Sequence, residues 1–462
     1  MTLNEYINSI KDKKIAVIGM GVSNMPLIKL LLISGCSVTV CDKRSLSELG
    51  ADAFSLISSG AVLRLGEDYL KDLNFDIIFR TPGLMPFDPA LKAAAAAGAT
   101  ITSEMEVFFA VCPCHIIAIT GSDGKTTTST ITSLLLEKQG YKVHLGGNIG
   151  KPLLCDVPYF KSDDYAVLEL SSFQLHSMHC EPERALITNI TPNHLDKHKD
   201  YADYIQAKTN IFTAQSESDL LVLNIDDPHY DELKSIAKST VKSFSLVKPV
   251  ESGVFYADGA IWRSRDGIKT KVIDTEKIVI PGRHNIANYM AAFALTEGLV
   301  SDENCRAVAE TFTGVEHRLE KVAEINGITF INDSIASSPT RTIAGLKAVK
   351  TKPILILGGY DKHIPFDVLG DAVNEYAKRV YLCGATADKI REAIINSKAY
   401  DGKVCIETLD DFKETVLTAY NNAESGDLIL LSPACAAFDK FKNFAERGKY
   451  FKQIVMELVN GN

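Results

Sequence analysis

From Lys13 the chain runs charged, then turns to IAVIG, an apolar-rich MPLIKLLLIS closed by Gly35, and SVTVCD. Short apolar runs on either side of a helix-length segment predict strand, helix and strand, the βαβ pattern that opens a parallel α/β domain. FDIIFR and ATITS predict two further strands, separated by an alanine-rich helix around Leu91 to Ala97. A domain of about one hundred residues is ordinary in size. The first is placed at 1–103, ending near Ser103.

A second stretch begins with HIIAITGSDGKTTT and adds apolar runs at Tyr165 to Leu170 and Ala185 to Ile190. It predicts a helix from Tyr201 to Gln215, a strand at LLVLNIDD, and a helix at HNIANYMAAFALTEGL. Between these, Val241 to Val279 is rich in β-branched residues and turn glycines, which predicts a short antiparallel patch. After Gly314 the strand, loop, helix pattern returns at ITFINDS, PILILGGYDK, RVYLCGATA and DLILLSPAC. The expected domains are therefore 1–103, 104–314 and 315–462.

A length of 462 residues suits three domains, at about 150 residues for each. Apolar residues at 46% and charged residues at 23% are those of a globular protein with a large core. The formal net charge of −9 has the wrong sign for a protein held to nucleic acid by bulk charge, so small molecules are the expected partners. No apolar run is long enough to span a membrane, and MTLNEYINSIKDKK lacks the apolar core of a signal peptide. The expectation is a cytoplasmic protein with no membrane insertion. The ten cysteines show no paired CxxC spacing and read as reduced core thiols. Cys112, Cys114 and His115 could bind a metal in principle, but an apolar strand follows at once and no metal is assigned to them.

The strongest local signal is Thr120-Gly121-Ser122-Asp123-Gly124-Lys125-Thr126-Thr127, between the strand IIAI and the helix-compatible TSTITSLLLEKQG. Glycines there let backbone N–H groups turn onto phosphate oxygens, and the helix N-terminus adds positive potential. Lys125 then neutralises charge and the Thr126 hydroxyl suits Mg²⁺. The spacing G-x-x-G-K-T is shorter than the general G-x-x-x-x-G-K-S/T, and a ligand-free glycine turn is the alternative.

Glu169 interrupts an apolar strand in YAVLELSSFQL, where it is either a Mg²⁺ ligand facing the phosphate loop or a solvated acid at the strand's exit. TNITPNHLDKHKD gathers His194, Asp196 and His198 in one loop, with a catalytic or metal role for His194 standing against a solvated surface group. Gly19-Met20-Gly21-Val22-Ser23-Asn24 resembles the fingerprint G-x-G-x-x-G, with Asp42 at the end of the next strand where ribose is usually held. Asn24 replaces the third glycine, and Lys43 and Arg44 suit an anionic ligand. The reading is a diphosphate site of unspecified kind, against a purely structural turn.

Taken together, GSDGKTTT, LGGNIGKPL, LELSSFQL, NHLDKH, YIQAKTNIF, GRHNIANYMAA, EHRLE, NDS and LLSPACAAFDKFKNFAERG resemble the Mur ligases, from the first βαβ unit to the last helix. The short phosphate loop is the form those enzymes share with folylpolyglutamate synthases. Within the family, the resemblance is to members that add D-glutamate to UDP-N-acetylmuramoyl-L-alanine. It implies an α/β protein with a Rossmann-like N-terminal domain, a P-loop ATP-binding central domain with a small antiparallel patch, and a Rossmann-like C-terminal domain. It also implies an ATP-dependent ligase that phosphorylates a carboxylate and lets an amine attack the acyl phosphate through a tetrahedral intermediate.

By the same resemblance Lys125 and Thr126 would hold triphosphate and a first Mg²⁺, with Gly121, Ser122, Asp123, Gly124 and Thr127 completing the loop. Glu169 would ligate metal and His194 would help hold a second Mg²⁺. Lys208 matches the lysine that the family carries as a carbamate, a CO₂ adduct that ligates Mg²⁺; its own sequence context reads as a surface helix lysine. Asn288, Arg318 and Asp333 fall at nucleotide positions. Ser23, Asp42, Lys43, Arg44, Thr81 and Gly83 fall around the UDP end, and Asn148, Ser171 and Gln174 elsewhere along the UDP-sugar. Ser337, Lys362 and the backbone near Phe444 are the amino-acid positions. Departures are Ile335 where many relatives have lysine, Ser337 for threonine, and Ala437 for serine.

Other readings are a neighbouring Mur ligase, a folylpolyglutamate synthase-like ligase, or a non-catalytic ATP-binding regulator on the same scaffold. The third domain has no D-N-P-R, as diaminopimelate- or lysine-adding enzymes carry, and Asn24 opposes a nicotinamide dehydrogenase.

Overall fold

The N-terminal apolar runs form a five-stranded parallel sheet in a computed structural model of the chain, which describes residues 1–461 apart from 196 and 362–364. The strands lie in the order Val62–Leu65, Val38–Asp42, Ile15–Ile18, Ile77–Phe79, Thr100–Thr102. Ile15 to Ile18 are all buried, because a parallel strand covered on both faces needs a continuous apolar run. The order reverses between Ile15–Ile18 and Ile77–Phe79, so a crevice opens beyond their C-terminal ends, at Gly19 and Thr81.

The central sheet has nine strands. Val143–Gly147, Tyr165–Glu169, His115–Thr120, Arg184–Ile187, Leu220–Asn224, Thr240–Ser245 and Gly253–Ala257 run parallel in that spatial order. Ala260–Arg265 and Ile268–Asp274 complete the sheet antiparallel. The antiparallel patch is therefore narrower than the Val241 to Val279 expected from sequence. Its hairpins turn at Asp258-Gly259 and Asp266-Gly267, all four residues at positive φ, the geometry that matches a hairpin to strand twist. Thr240–Ser245 reaches Gly253 through a longer connection and stays parallel.

Helix Glu104–Val111, capped by the Ser103 hydroxyl, follows the first sheet, and one apolar cluster runs from Leu3 and Phe108 to Leu154 and Leu233. These two sheets share one compact unit, Met1–Phe312. The helix expected over Tyr201 to Gln215 ends at Thr209, where the Asn210 amide turns to donate to the Leu175 carbonyl. No helix among the described residues is long and apolar enough to cross a membrane.

The second unit, Thr313–Asn462, holds a six-stranded sheet in the order Glu320–Ile325, Ile328–Asn332, Leu428–Leu431, Ile354–Leu357, Arg379–Leu382, Cys405–Thr408. Only the first pair is antiparallel.

Candidate active site

The phosphate-type loop leaves the buried strand His115–Thr120 and enters helix Lys125–Gln139. Gly121 and Gly124 have φ of 151° and 79°, and neither has room for a side chain. A β-carbon on Gly121 would lie 1.8 Å from Thr188 Oγ1, and one on Gly124 would lie 2.4 Å from Asn288 Oδ1. The loop is laced to the chain beyond Arg184–Ile187: Ser122 N donates to Asn189 O (2.9 Å), Asp123 N to Asn189 Oδ1 (3.0 Å), and Thr188 Oγ1 to Asp123 O (2.6 Å). Lys125 folds back so that Nζ donates to Gly121 O and Ser122 O, each at 2.9 Å. Asn288 supports the same helix through Thr128, whose hydroxyl donates to Asn288 Oδ1 at 3.3 Å.

Two charged side chains converge on this loop from inside the protein. Glu169, 1% exposed, is no solvated acid: Oε1 accepts from Asn148 Nδ2 at 2.8 Å, while buried Oε2 has no partner among the described residues. An orphaned carboxylate oxygen is costly unless a cation takes it up, so the donor set fits a hard divalent ion. Lys208, also 1% exposed, lies on the helix Tyr201–Thr209 and donates to Gly121 O at 2.6 Å. The surface position suggested by its sequence context is thus corrected. Its ammonium lies over the Tyr204 ring, 4.7 Å from the centroid, and the Tyr204 hydroxyl is 2.8 Å from Ser122 Oγ. Burial, then the Lys125 charge, push Lys208 well below the ordinary lysine range, with Asp123 and Glu169 opposing.

The histidines divide. His194 is exposed at φ 55°, its ring 5.0 Å from that of Phe173. His198 is buried and shares Asp203 with His176: His198 Nδ1 is 2.9 Å from Oδ2 and His176 Nε2 3.0 Å from Oδ1. A carboxylate only accepts, so both ring nitrogens donate. His198 Nε2 then meets Ser172 Oγ at 3.0 Å, tying the Lys208 helix to the turn that follows Glu169. In that turn Ser171 and Gln174 form a capping box around helix Ser172–Leu175. Asp196 lies outside the described residues.

In the first sheet's crevice, Asp42 accepts from Met20 N at 2.8 Å and from Arg44 N, Nε and Nη2 at 3.0, 2.9 and 2.7 Å. Burial opposes its ionisation, but the Arg44 and Met20 hydrogen bonds prevail and hold it at about 2. Asn24, buried, donates to Ile18 O (2.9 Å) and Gly19 O (3.2 Å), so it pins the glycine turn where a third glycine would only have permitted it. Ser23 opens the following helix, Lys43 is exposed beside Asp42, and Thr81 lines Gly19, whose β-carbon would lie 3.2 Å from Thr81 Cβ. Gly83 is exposed in the next turn.

In the second unit, Asp333 accepts from Ser432 Oγ at 2.7 Å and Leu319 N at 3.3 Å, and burial raises it to about 6 despite Arg318 nearby. Ser337 Oγ donates to Ile335 O at 3.3 Å, and Phe444 O accepts from Ser334 Oγ at 2.7 Å. Ala437 is buried. Lys362 lies outside the described residues. Arg318, Asp333, Ser337 and Phe444 thus share this unit, and the phosphate loop belongs to the other.

Residues 13–103 match the profile of the Mur ligase MurD-like N-terminal domain, 119–296 that of the Mur ligase middle domain, and 317–435 that of the Mur ligase glutamate ligase domain. Over 458 residues, 98% of each chain, the protein is 48% identical to the UDP-N-acetylmuramoylalanine--D-glutamate ligase of Acetivibrio thermocellus. Over 461 residues, 99% of each chain, it is 47% identical to the enzyme of that name from Ruminiclostridium cellulolyticum. The chain belongs to the Mur ligase family. A solved UDP-N-acetylmuramate-alanine ligase of Thermotoga maritima shares the fold at 18% identity, with a TM-score of 0.56 over 97% of this chain and 100% of the other. The α/β architecture expected from the sequence is thus that of a Mur ligase, and the family uses ATP and Mg²⁺.

Sequence reasoning missed several residues that build this Mur ligase site. Thr188 and Asn189 follow an apolar strand, where the phosphate loop needed a partner; their place beside the AL-I-TNI run was the available signal. Tyr204 carried none, because an aromatic on an amphipathic helix reads as core. Arg80 closes a strand and reads as a solvated end, yet it is 1% exposed.

Proposed function

We propose that this chain is an ADP-forming ligase that joins D-glutamate to UDP-N-acetylmuramoyl-L-alanine in peptidoglycan precursor synthesis. The names of relatives nearly half identical over the full length support the substrates. The observation that carries the chemistry is that Lys125 and buried Lys208 both donate to the Gly121 carbonyl, with buried Glu169 beside Ile119 on the neighbouring strand.

A carboxylate does not condense with an amine in water. Transfer of the γ-phosphoryl group of ATP to the UDP-sugar carboxylate gives an acyl phosphate and ADP. The D-glutamate amine then attacks the acyl carbon, and the tetrahedral intermediate expels phosphate as the C–N bond is kept and the nitrogen gives up one proton to phosphate or water. Loop N–H groups and Lys125 meet the phosphates, and Asn288 holds the helix behind them; Arg318 and Asp333 are carried over as nucleotide positions by the family resemblance alone. Asn148, Ser171 and Gln174 flank the reacting end of the UDP-sugar. Ser23, Asp42, Lys43, Arg44, Thr81 and Gly83 receive its uridine diphosphate end, at the crevice where parallel sheets bind ligands. Ser337, Lys362 and the backbone near Phe444 receive the amino acid.

Bound Mg²⁺, two ions in all, offsets phosphate charge and polarises the P–O bonds. Thr126, Glu169, His194 and a Lys208 carbamate are the groups that would hold it. The buried, readily neutral Lys208 amine suits carbamate formation: nitrogen attacks the carbon of CO₂, and an N–H proton leaves to water. Beside Lys125 the carbamate places an anion where a protonated Lys208 would have been repelled.

The test is ADP release and product mass with UDP-N-acetylmuramoyl-L-alanine and, in turn, D-glutamate, L-glutamate, L-lysine and meso-diaminopimelate. D-Glutamate is expected to be the acceptor even though Ala437 offers no hydroxyl, since water or a backbone N–H can stand in for one. Preference for any other acceptor would overturn the specificity and leave the ligase chemistry standing.

Asp42→Ala is expected to raise the UDP-sugar KM by about tenfold or more, as loss of a charged hydrogen-bonding group does, and to leave the ATP KM unchanged. A change confined to the ATP KM would mean that the two nucleotide sites are exchanged. The same carboxyl has a pH signature. Folding holds it at about 2, below its ordinary 3.8, so its contribution to stability is present above 3.8 and is lost as pH falls towards 2. Thermal melts of Asp42→Ala should lack that part of the acid limb.

A further inference from the structure

Arg80 follows the strand Ile77–Phe79 and is 1% exposed. Burying a guanidinium is costly unless its N–H groups are taken up; here both terminal nitrogens are bonded, while Nε has no partner among the described residues. Nη1 donates to Leu84 O at 3.2 Å, which fixes the turn carrying Thr81 and Gly83. Nη2 reaches the central part of the same unit, donating to Phe173 O at 3.1 Å, Gln174 O at 3.4 Å and Ser177 Oγ at 2.7 Å. Two of those acceptors are carbonyls of the helix Ser172–Leu175, which is too short to satisfy them itself. The Ser177 hydroxyl passes a further hydrogen bond to Glu106 Oε1 at 3.2 Å, on the helix Glu104–Val111.

One side chain therefore holds a turn from the first sheet and a turn from the central sheet at once. We propose that Arg80 is a positioning residue for the UDP-sugar, keeping the turn of Thr81 and Gly83 in register with that of Ser171 and Gln174. The ligand's two ends then meet one preformed site. The inference rests on the reading above for what fills that site. Lysine could supply charge but not the planar fork that reaches acceptors on both sides.

The test compares wild type, Arg80→Met, Arg80→Lys and Ser177→Ala, with a KM for each substrate from ADP release and with hydrogen exchange over residues 171–177 in the free protein. Arg80→Met should raise the UDP-sugar KM by at least about tenfold, the size of a lost charge-assisted hydrogen bond, with the ATP KM within about twofold. Arg80→Lys should lie between it and wild type. Exchange over 171–177 should quicken in Arg80→Met. Ser177→Ala should raise the UDP-sugar KM by about threefold, and it decides the matter if Arg80→Met does not fold. An unchanged UDP-sugar KM, or UDP-sugar and ATP KM values rising together, would overturn the proposal. Failure of wild type to release ADP with UDP-N-acetylmuramoyl-L-alanine and D-glutamate would strike the assigned function instead.

Discussion

Lys125→Ala is expected to lose ATP-dependent turnover by about a hundred- to a thousand-fold, the loss seen when one stabilising donor is removed from developing negative charge. The chain should stay folded. Lys125 is the first residue of its helix and only half-buried, and its ammonium donates to the loop carbonyls of Gly121 and Ser122. Lys125 is not among the buried residues of the core, so truncation leaves that core in place. With nucleotide present, the helix N-terminus and the loop N–H groups would remain, but they carry only partial charges. ADP release assayed beside a thermal melt separates the two effects. Near-normal turnover in a folded Lys125→Ala protein would remove the phosphate-loop assignment.

The phosphate loop was legible because its requirements are local. Gly121 and Gly124 stand where any side chain would strike Thr188 or Asn288, and the flanking strand and helix are strong periodic patterns. Glu169 was visible for the opposite reason, as a charge in an apolar run. Lys208 and His198 were not legible as buried groups. Each sits in a polar stretch that looks solvated, and only the packing of the Tyr201–Thr209 helix against the loop and the Ser171–Leu175 turn encloses them.

The same division holds for the fold. Strands Ile15–Ile18, Tyr165–Glu169 and Ile354–Leu357 are covered on both faces and read directly as apolar runs. Glu320–Ile325 and Cys405–Thr408 lie at the edges of the C-terminal sheet, largely half-buried or exposed, so no apolar run announced them. Helix Leu46–Ser58, kinked at Gly50, does carry a signal in its sequence: Ser45 and Glu48 form the capping box that such spacing encodes.

Lys208→Ala is expected to be folded and nearly inactive, below about one part in a hundred of wild type if a group stabilising charge in the transition state is lost. The fold should survive because the substitution removes a desolvated cation beside Lys125, and alanine suits a helix interior. The informative arm is rescue. If Lys208 acts as a carbamate, what the variant lacks is a carboxylate at the end of a tether, and a short free carboxylate added with bicarbonate should restore part of the activity. A residue that acted only as a cation would gain nothing from an added anion. Wild type should also lose activity when CO₂ is stripped and recover it with bicarbonate, and ¹³CO₂ should give a carbamate carbon signal that Lys208→Ala lacks. An active Lys208→Ala protein that is indifferent to CO₂ would refute both the carbamate and its part in holding Mg²⁺, and would leave Glu169, whose buried Oε2 has no partner among the described residues, as the stronger metal candidate.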